Sequence, residues 1–133
     1  MPISYKINPA RKRVFTSVTG EVTALEIVGH FETARREGFL AYSELIDASS
    51  IIDPTLSVAE LWNIAATVRK LQSAGNFGSR AVWVGSDTNF VLAHMFASLI
   101  SGFIRMKVFH DRIAAEEWLN KQNGRNSVPS DSR

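Results

Sequence analysis

Short β-forming runs alternate with segments of helical periodicity along this chain, and this alternation constrains the fold more than any other feature. Apolar and polar residues alternate over residues 3–7, and residues 14–19 are rich in β-branched side chains. Two such runs joined by a turn predict an antiparallel hairpin. Further strands are predicted at residues 44–47, 81–84 and 106–109, and helices at about 23–37, 58–74, 88–101 and 111–121.

The predicted order ββαβαβαβα is that of the α/β class. A helix between two strands implies a parallel β-α-β unit with a right-handed crossover. The run Ala81-Val82-Trp83-Val84 is apolar without alternation, which is typical of a parallel strand buried on both faces. We therefore expect a single domain over residues 1–121 with a mixed, mostly parallel sheet. A disordered C-terminal tail is expected over residues 122–133, because this segment is polar and turn-rich.

Composition narrows the class of protein. The 133 residues are 45% apolar and 21% charged, as in ordinary soluble domains. No apolar run reaches the ~20 residues of a membrane span, so no integral membrane segment is expected. The first residues lack the apolar stretch of a secretory signal, and there is no cysteine for disulfide or thiolate chemistry. These features predict a cytoplasmic protein.

The surplus of basic over acidic residues is small. The net charge is +2, and the densest basic run is Arg11-Lys12-Arg13, which is predicted to lie in a solvated hairpin turn. A nucleic-acid interface would need a stripe of Lys and Arg with aromatic residues or a recognition motif. The sequence has neither, so no nucleic-acid partner is expected.

Several short sequence motifs occur along the chain in an order that is typical of one family. They are Tyr5, Gly20-Glu21-Val22-Thr23, Leu45-Ile46-Asp47, Leu56-Ser57, Arg80-Ala81-Val82-Trp83-Val84, Val108-Phe109 and Ala115-Glu116-Glu117-Trp118-Leu119. With them, residues 3–120 resemble the STAS-like family related to the stage II sporulation anti-sigma-factor antagonist (SpoIIAA-like). The resemblance implies a mixed β-α sheet, a regulatory or protein-interaction role, and no established enzymatic activity or cofactor. The fold also resembles that of lipid-carrying CRAL-TRIO domains.

The resemblance places a switch loop at residues 53–56. In the antagonists an Asp-Ser-Ser/Thr-Gly motif carries a phosphorylated hydroxyl, and this chain has Asp53-Pro54-Thr55-Leu56 instead. Thr55 stands where the phosphoacceptor would be. Pro54 replaces the first hydroxyl residue, and Leu56 replaces the glycine, so the loop is expected to be stiffer than that of the family. We therefore predict that Thr55 is not a constitutive regulatory phosphosite.

The same stretch also has the features of a helix start. Ser57 and Glu60 fit a capping box, with Ser57 as the N-cap. In a competing register, Asp53 is the N-cap and Pro54 takes the first helical position. Asp47 and Asp53 could form an acid–base pair or a metal site, but Asp also favours turns and caps for local reasons. We expect no catalytic residue, metal site or cofactor here.

The helix predicted over residues 88–101 is apolar nearly all round, so it must be buried on more than one side. The sequence leaves three possibilities for what buries this helix: the domain core, a second copy in a homodimer, or an apolar or lipid-like ligand. An apolar pocket would favour the ligand, and a flat apolar patch would favour a protein partner. The residues proposed to line such an interface or pocket are Trp83, Leu92, His94, Met95, Phe96 and Leu99.

These observations rank the expected functions. A non-enzymatic STAS-like interaction or regulatory domain comes first, with self-association as a homodimer through or beside the 88–101 helix. A binder of a small apolar or lipid-like ligand is the alternative. An enzyme comes third, because no catalytic motif with the required spacing occurs in the sequence.

Overall fold

Five strands follow one another across one sheet in the order in which they occur along the chain. The structure, a computed structural model, describes residues 2–52, 56–71 and 76–127. Within these residues the elements follow the order ββαβαβαβα, which confirms the predicted single-domain α/β fold. The strands are β1 Ile3–Asn8, β2 Arg13–Gly20, β3 Ser43–Ile51, β4 Arg80–Val84 and β5 Met106–Phe109. The helices are α1 Ala24–Glu37, α2 Val58–Lys70, α3 Asp87–Leu99 and α4 Arg112–Ser127.

The sheet is mixed, with one antiparallel edge. β1 pairs with β2 antiparallel, and the pairs β2–β3, β3–β4 and β4–β5 are parallel. Because side chains alternate along a strand, β4 sends Ala81 and Trp83 to one face and Arg80, Val82 and Val84 to the other. All five are buried, as the absence of alternation in this run predicts.

The two faces of the sheet are covered by different helices. Residues of α1, α2 and α3 share an apolar core with Val14 of β2, and α3 also packs on Val82 and Val84. On the other face, Ala115 and Leu119 of α4 pack against Leu45, Ala81 and Trp83. The larger core therefore lies between the sheet and the three-helix layer.

The helix starts and stops follow local chemistry. Thr23 caps α1 in a capping box with Glu26, and Gly38 ends that helix with a φ of 84°, a left-handed conformation that suits glycine. Ser86 caps α3, and the Asp111 carboxylate accepts a hydrogen bond from the Ala114 amide at the start of α4. Each cap is a residue type whose side-chain acceptor or backbone freedom suits a helix end.

The structure decides between the two proposed starts of α2. Ser57 is the N-cap: its Oγ accepts a hydrogen bond from the Glu60 amide at 3.1 Å, and its own amide donates to Glu60 Oε1 at 2.9 Å. The competing cap, Asp53, lies outside the described residues. The helix ends at Lys70, earlier than the predicted residue 74; residues 72–75 also lie outside the described part of the chain.

The cap on α2 gives a prediction. Ser57→Ala is expected to lower the free energy of unfolding by about 1 kcal/mol, because the Glu60 amide at the helix start loses its hydrogen-bond acceptor. The difference between the urea denaturation midpoints of the variant and the unmodified protein measures this loss of stability. Ser98→Ala is the matched control: Ser98 is exposed within α3 and its hydroxyl donates to the His94 carbonyl one turn earlier, so the midpoint of this variant should stay or rise slightly. Equal midpoints for Ser57→Ala and the unmodified protein would contradict the assigned cap.

Two further element ends, those of β3 and α4, differ from their predicted positions. β3 extends from Ser43 to Ile51 rather than over residues 44–47, because its last residues pair with Thr19 and Gly20 of β2. The predicted tail also begins too early at Gln122. α4 continues to Ser127, and Gln122 is buried and accepts a hydrogen bond from Arg105 Nη1 at 2.8 Å.

Candidate functional site

An apolar cavity of about 170 Å³ lies between the sheet and the three-helix layer. It exists because α2 packs mainly on α1 and α3 rather than on the strands, which leaves space beneath Leu61 and Ile64. The sheet side is apolar, and so are the walls from the three helices. The apolar residues around the cavity include Ile46, Ala48, Val82 and Val84 from the sheet and Ile27, Leu61, Ile64, Leu92, Ala93 and Phe96 from the helices.

One end of the cavity is closed by a buried ionic cluster. Glu44 and Arg80 are direct partners in the β3–β4 register, and both side chains point to the three-helix face. Arg80 Nε lies 3.2 Å from Glu44 Oε1, and His30 Nε2 lies 2.7 Å from Glu44 Oε2. The Thr16 hydroxyl donates a short hydrogen bond to the same Oε2. Three neighbours from β2, α1 and β4 therefore hold one carboxylate.

The Arg80 guanidinium is fixed by backbone oxygens and aromatic rings. Nη1 donates to the Gly78 carbonyl and Nη2 to the Leu40 carbonyl, and its Cζ lies 5.7 Å from the ring centres of both Phe31 and Phe77. A Cβ at Gly78 would lie 2.1 Å from the Tyr42 carbonyl oxygen, so only glycine lets the chain pass there and present its carbonyl to Arg80. With side-chain exposures of 1% for Arg80 and 3% for Glu44, this is a fully buried ion pair.

The electrostatics of the cluster keep Glu44 charged. Burial by itself would raise the pKa of Glu44, but the hydrogen bond with His30, the charge of Arg80 and the bond from Thr16 outweigh it and hold the pKa at about 2. Burial lowers the pKa of Arg80, and the Glu44 carboxylate opposes that shift. A carboxylate that stays ionised, with two hydrogen-bond partners at Oε2 and an ion-pair contact at Oε1, links β3 to β2, α1 and β4. It is a poor donor or acceptor of protons near neutral pH.

The opposite end of the cavity has one polar residue with a partner. Asn89 is buried at the start of α3, and its Nδ2 donates to the Ile51 carbonyl at 3.2 Å. Because the polar side chains at both ends contact protein partners, with Arg80 Nε held by its ion pair with Glu44, the space between them offers mainly apolar contact. The arrangement is suited to taking up an apolar molecule rather than to transferring protons or groups.

The proposed switch-loop residues do not meet at this cavity. Asp47 Oδ1 accepts hydrogen bonds from the Ser49 amide at 3.0 Å and the Ser49 hydroxyl at 2.6 Å, which is a local turn interaction. Ser57 is the α2 cap. Asp53 and Thr55 lie outside the described residues, so the suggested Asp47–Asp53 pair and the Thr55 prediction are not tested.

The residues proposed for an interface or pocket separate into three groups. Leu92 and Phe96 line the cavity. Met95 and Leu99 are partly buried and pack against the core of the three-helix face. Trp83 faces α4 on the other side of the sheet, and His94 is exposed and stacks on Phe90 with ring centres 6.1 Å apart. The helix is thus covered on its sheet side, as its apolarity predicts, but not all round.

An exposed apolar edge lies at the carboxyl ends of the parallel strands. There the chain leaves β3 and the three helices begin, and several large apolar side chains are open to solvent. They are Leu25 of α1, Ile52 after β3, Val58 and Trp62 of α2 and Val91 of α3, with exposures from 48% to 82%. We name these five residues the apolar edge.

Sequence reasoning missed the buried cluster. Its signals are present but weak: Glu44 and Arg80 each open an apolar run, and His30 lies in the middle of an amphipathic helix. Each is individually typical of a solvated strand end or helix face. A charged residue at the start of two neighbouring buried strands is the feature that could have suggested the pair.

Comparisons with known proteins add no relative: no family model, no curated protein and no solved structure matches this chain. Within the described residues, no three acidic or histidine side chains are grouped so that they could hold a metal ion. No helix in that part of the chain has the length and apolarity needed to cross a membrane.

Proposed function

We propose that this protein is a non-enzymatic binding domain that takes a small apolar molecule into the cavity beneath α2. The observation that carries the proposal is the cavity itself, about 170 Å³ of apolar-walled space with its polar residues bonded to the protein at each end. Well-packed domains contain few voids larger than a water molecule. Within the described residues the surface of this cavity is almost entirely apolar and offers little to hold water, so a space of this size is a site for an apolar guest.

The size of the cavity limits the guest. An engineered apolar cavity of about 150 Å³ in another protein stays dry and binds benzene, so this one fits a molecule of about six to eight carbon atoms. A full lipid chain would require the helices to move. The resemblance of the expected fold to that of lipid-carrying domains suggests an apolar ligand class, while the cavity volume of about 170 Å³ favours its smallest members.

A titration followed by proton–nitrogen correlation spectra tests this proposal. Benzene, toluene and cyclohexane are the probes. We expect saturable shifts of amides that border the cavity, including Ile46, Val82 and Phe96. Ala93→Leu places a larger side chain in the cavity and should weaken binding at least tenfold. Ala66→Leu makes the same change at an exposed site on α2 and should leave binding unaltered.

Two results would contradict the proposal: no saturable shift with any probe, or equal affinity in the Ala93→Leu variant. The fold of each variant is checked by its own spectrum, and since leucine is a good helix former neither change should disturb its helix. Filling the cavity should also raise or preserve the thermal midpoint, because lost contacts around a void are restored.

A second candidate function is self-association through the apolar edge, as a STAS-like interaction or regulatory domain. The observation that favours it is the exposure of Trp62 and its neighbours at one edge; exposed apolar patches mark interaction sites. Val91 of the apolar edge lies on α3, and α3 covers most of the 88–101 helix that the sequence places in or beside the interface of the predicted homodimer. Light scattering at dilute and concentrated protein separates the candidates. If the molecular mass doubles between dilute and concentrated protein and none of the apolar probes gives a saturable shift, the second candidate is favoured over the first.

A further inference from the structure

A second, polar groove lies on the opposite face of the sheet from the cavity. It has a volume of about 270 Å³ and lies between the β1–β2 hairpin and the first turns of α4. Its polar lining consists of Lys6 and Asn8 of β1, Arg11 of the turn, Arg13 of β2 and Arg112 and Glu116 of α4. Four cationic side chains therefore converge on this groove with one carboxylate.

The one carboxylate is already engaged. Glu116 Oε1 lies 3.2 Å from Arg112 Nε, one turn away on α4, and both side chains are substantially exposed. The Arg112 guanidinium is held over Phe15 and Trp83, with its Cζ 5.4 and 5.8 Å from their ring centres. Among the described residues, Lys6, Arg11 and Arg13 form no ion pair with an acidic side chain. The groove carries an excess of positive charge.

Arg13 also has an unused donor. Its Nε donates to Ser43 Oγ at 3.3 Å, but its Nη2 is buried and has no hydrogen-bond partner within the described part of the chain. Burial, and then the charge of Arg11, lower the pKa of Arg13, while Glu116 opposes the shift. A buried N–H without an acceptor is costly, and the cationic side chains that line the groove outnumber its one carboxylate, so an anion with several oxygens would complement the groove.

We propose that the groove between the hairpin and α4 binds a phosphate group, either free, as inorganic phosphate or a phosphate monoester, or in a lipid headgroup. A guanidinium presents N–H donors in a fixed fork that matches phosphate oxygens, and charge-assisted bonds of this kind are the strong ones. Lys6 and Arg11 add charge from the hairpin, and Arg112 adds it from α4. The proposal is independent of the apolar cavity, because the sheet separates the two sites.

Titration with inorganic phosphate at constant ionic strength tests the site. We expect saturable shifts of the amides of residues 11–15 and of the Arg13 Nε resonance. Arg13→Gln should weaken binding at least tenfold, and Arg11→Gln, at an exposed turn position where folding is not at risk, should weaken it by a smaller factor. Arg35→Gln removes the same charge from an exposed site on α1 and should leave the affinity unchanged.

Vesicle co-sedimentation distinguishes the two sources of phosphate. Vesicles of phosphatidylcholine alone are compared with vesicles that also contain phosphatidic acid. If binding to the acidic vesicles depends on Arg13 and inorganic phosphate does not bind, the ligand is a lipid headgroup. If inorganic phosphate saturates the site in an Arg13-dependent way and the vesicles do not bind, the ligand is a free phosphate. The proposal is overturned if neither arm depends on Arg13, or if Arg35→Gln weakens binding as much as Arg13→Gln does, since that would indicate diffuse charge attraction.

Discussion

Arg80→Met is expected to lower the free energy of unfolding by about 3–5 kcal/mol. The change removes the arginine that pairs with Glu44 and leaves the buried carboxylate with His30 and Thr16 as its partners among the described residues. Breaking a buried pair from one side is costly because the remaining charge is neither paired nor hydrated. Urea unfolding measures the effect. Arg69→Met is the matched control, because Arg69 is exposed on α2 and lies over the Phe103 ring, so its loss should cost well under 1 kcal/mol.

The double variant Glu44→Gln/Arg80→Met separates the ion pair from simple packing. Removing both charges should recover part of the loss, since no uncompensated ion remains in the core. If the double variant were as unstable as the sum of the two single variants, the coupling between Glu44 and Arg80 would be absent. A loss of less than about 1 kcal/mol for Arg80→Met would likewise contradict the role assigned to the pair.

Acid should destabilise this protein through Glu44. The folded-state pKa of Glu44 is about 2, and an unfolded glutamate titrates near its usual value of about 4.3, so the unfolded state binds more protons between these values. The stabilisation is therefore complete above the unfolded pKa and is lost as the pH falls toward the folded pKa. The expected loss between about pH 5 and pH 2 is on the order of 3 kcal/mol.

Other carboxylates titrate in the same window, so the contribution of Glu44 is measured as a difference. Urea midpoints are followed across the acid range for the unmodified protein and for Glu44→Gln/Arg80→Met, which lacks the group. The stability of the unmodified protein should fall more steeply. Parallel curves for the two proteins would show that the pKa of Glu44 is the same in the folded and the unfolded state, and would contradict its depressed pKa in the folded state.

The fold could be predicted because its signals are local. Alternation in β1, the apolar run of β4 and the capping boxes at Thr23 and Ser57 each depend on residues a few positions apart. The ends of β3 and α4 depend on partners elsewhere, β2 and Arg105, and both ends were predicted in the wrong place. Local chemistry fixed the elements, and tertiary partners fixed their lengths.

The candidate sites could be predicted only in part, because they depend on distances across the fold. Leu92 and Phe96 were proposed as pocket residues and line the cavity, but the Glu44–Arg80 pair depends on the register of two parallel strands, which no turn sets. The cavity itself depends on the spacing of α2 from the sheet. The prediction of a solvated turn for the Arg11-Lys12-Arg13 run is wrong for Arg13, which lies in β2 and is partly buried.

Diffraction from crystals held under xenon pressure tests whether the cavity beneath α2 is an apolar binding site, because xenon enters apolar cavities without needing a polar contact. We predict an anomalous peak beneath α2, among Ile46, Ile64 and Phe96, in the unmodified protein. The peak should be absent from the Ala93→Leu variant. Ordered water filling that space, or the absence of xenon from it while xenon binds elsewhere in the same crystal, would show that the cavity is not an apolar binding site.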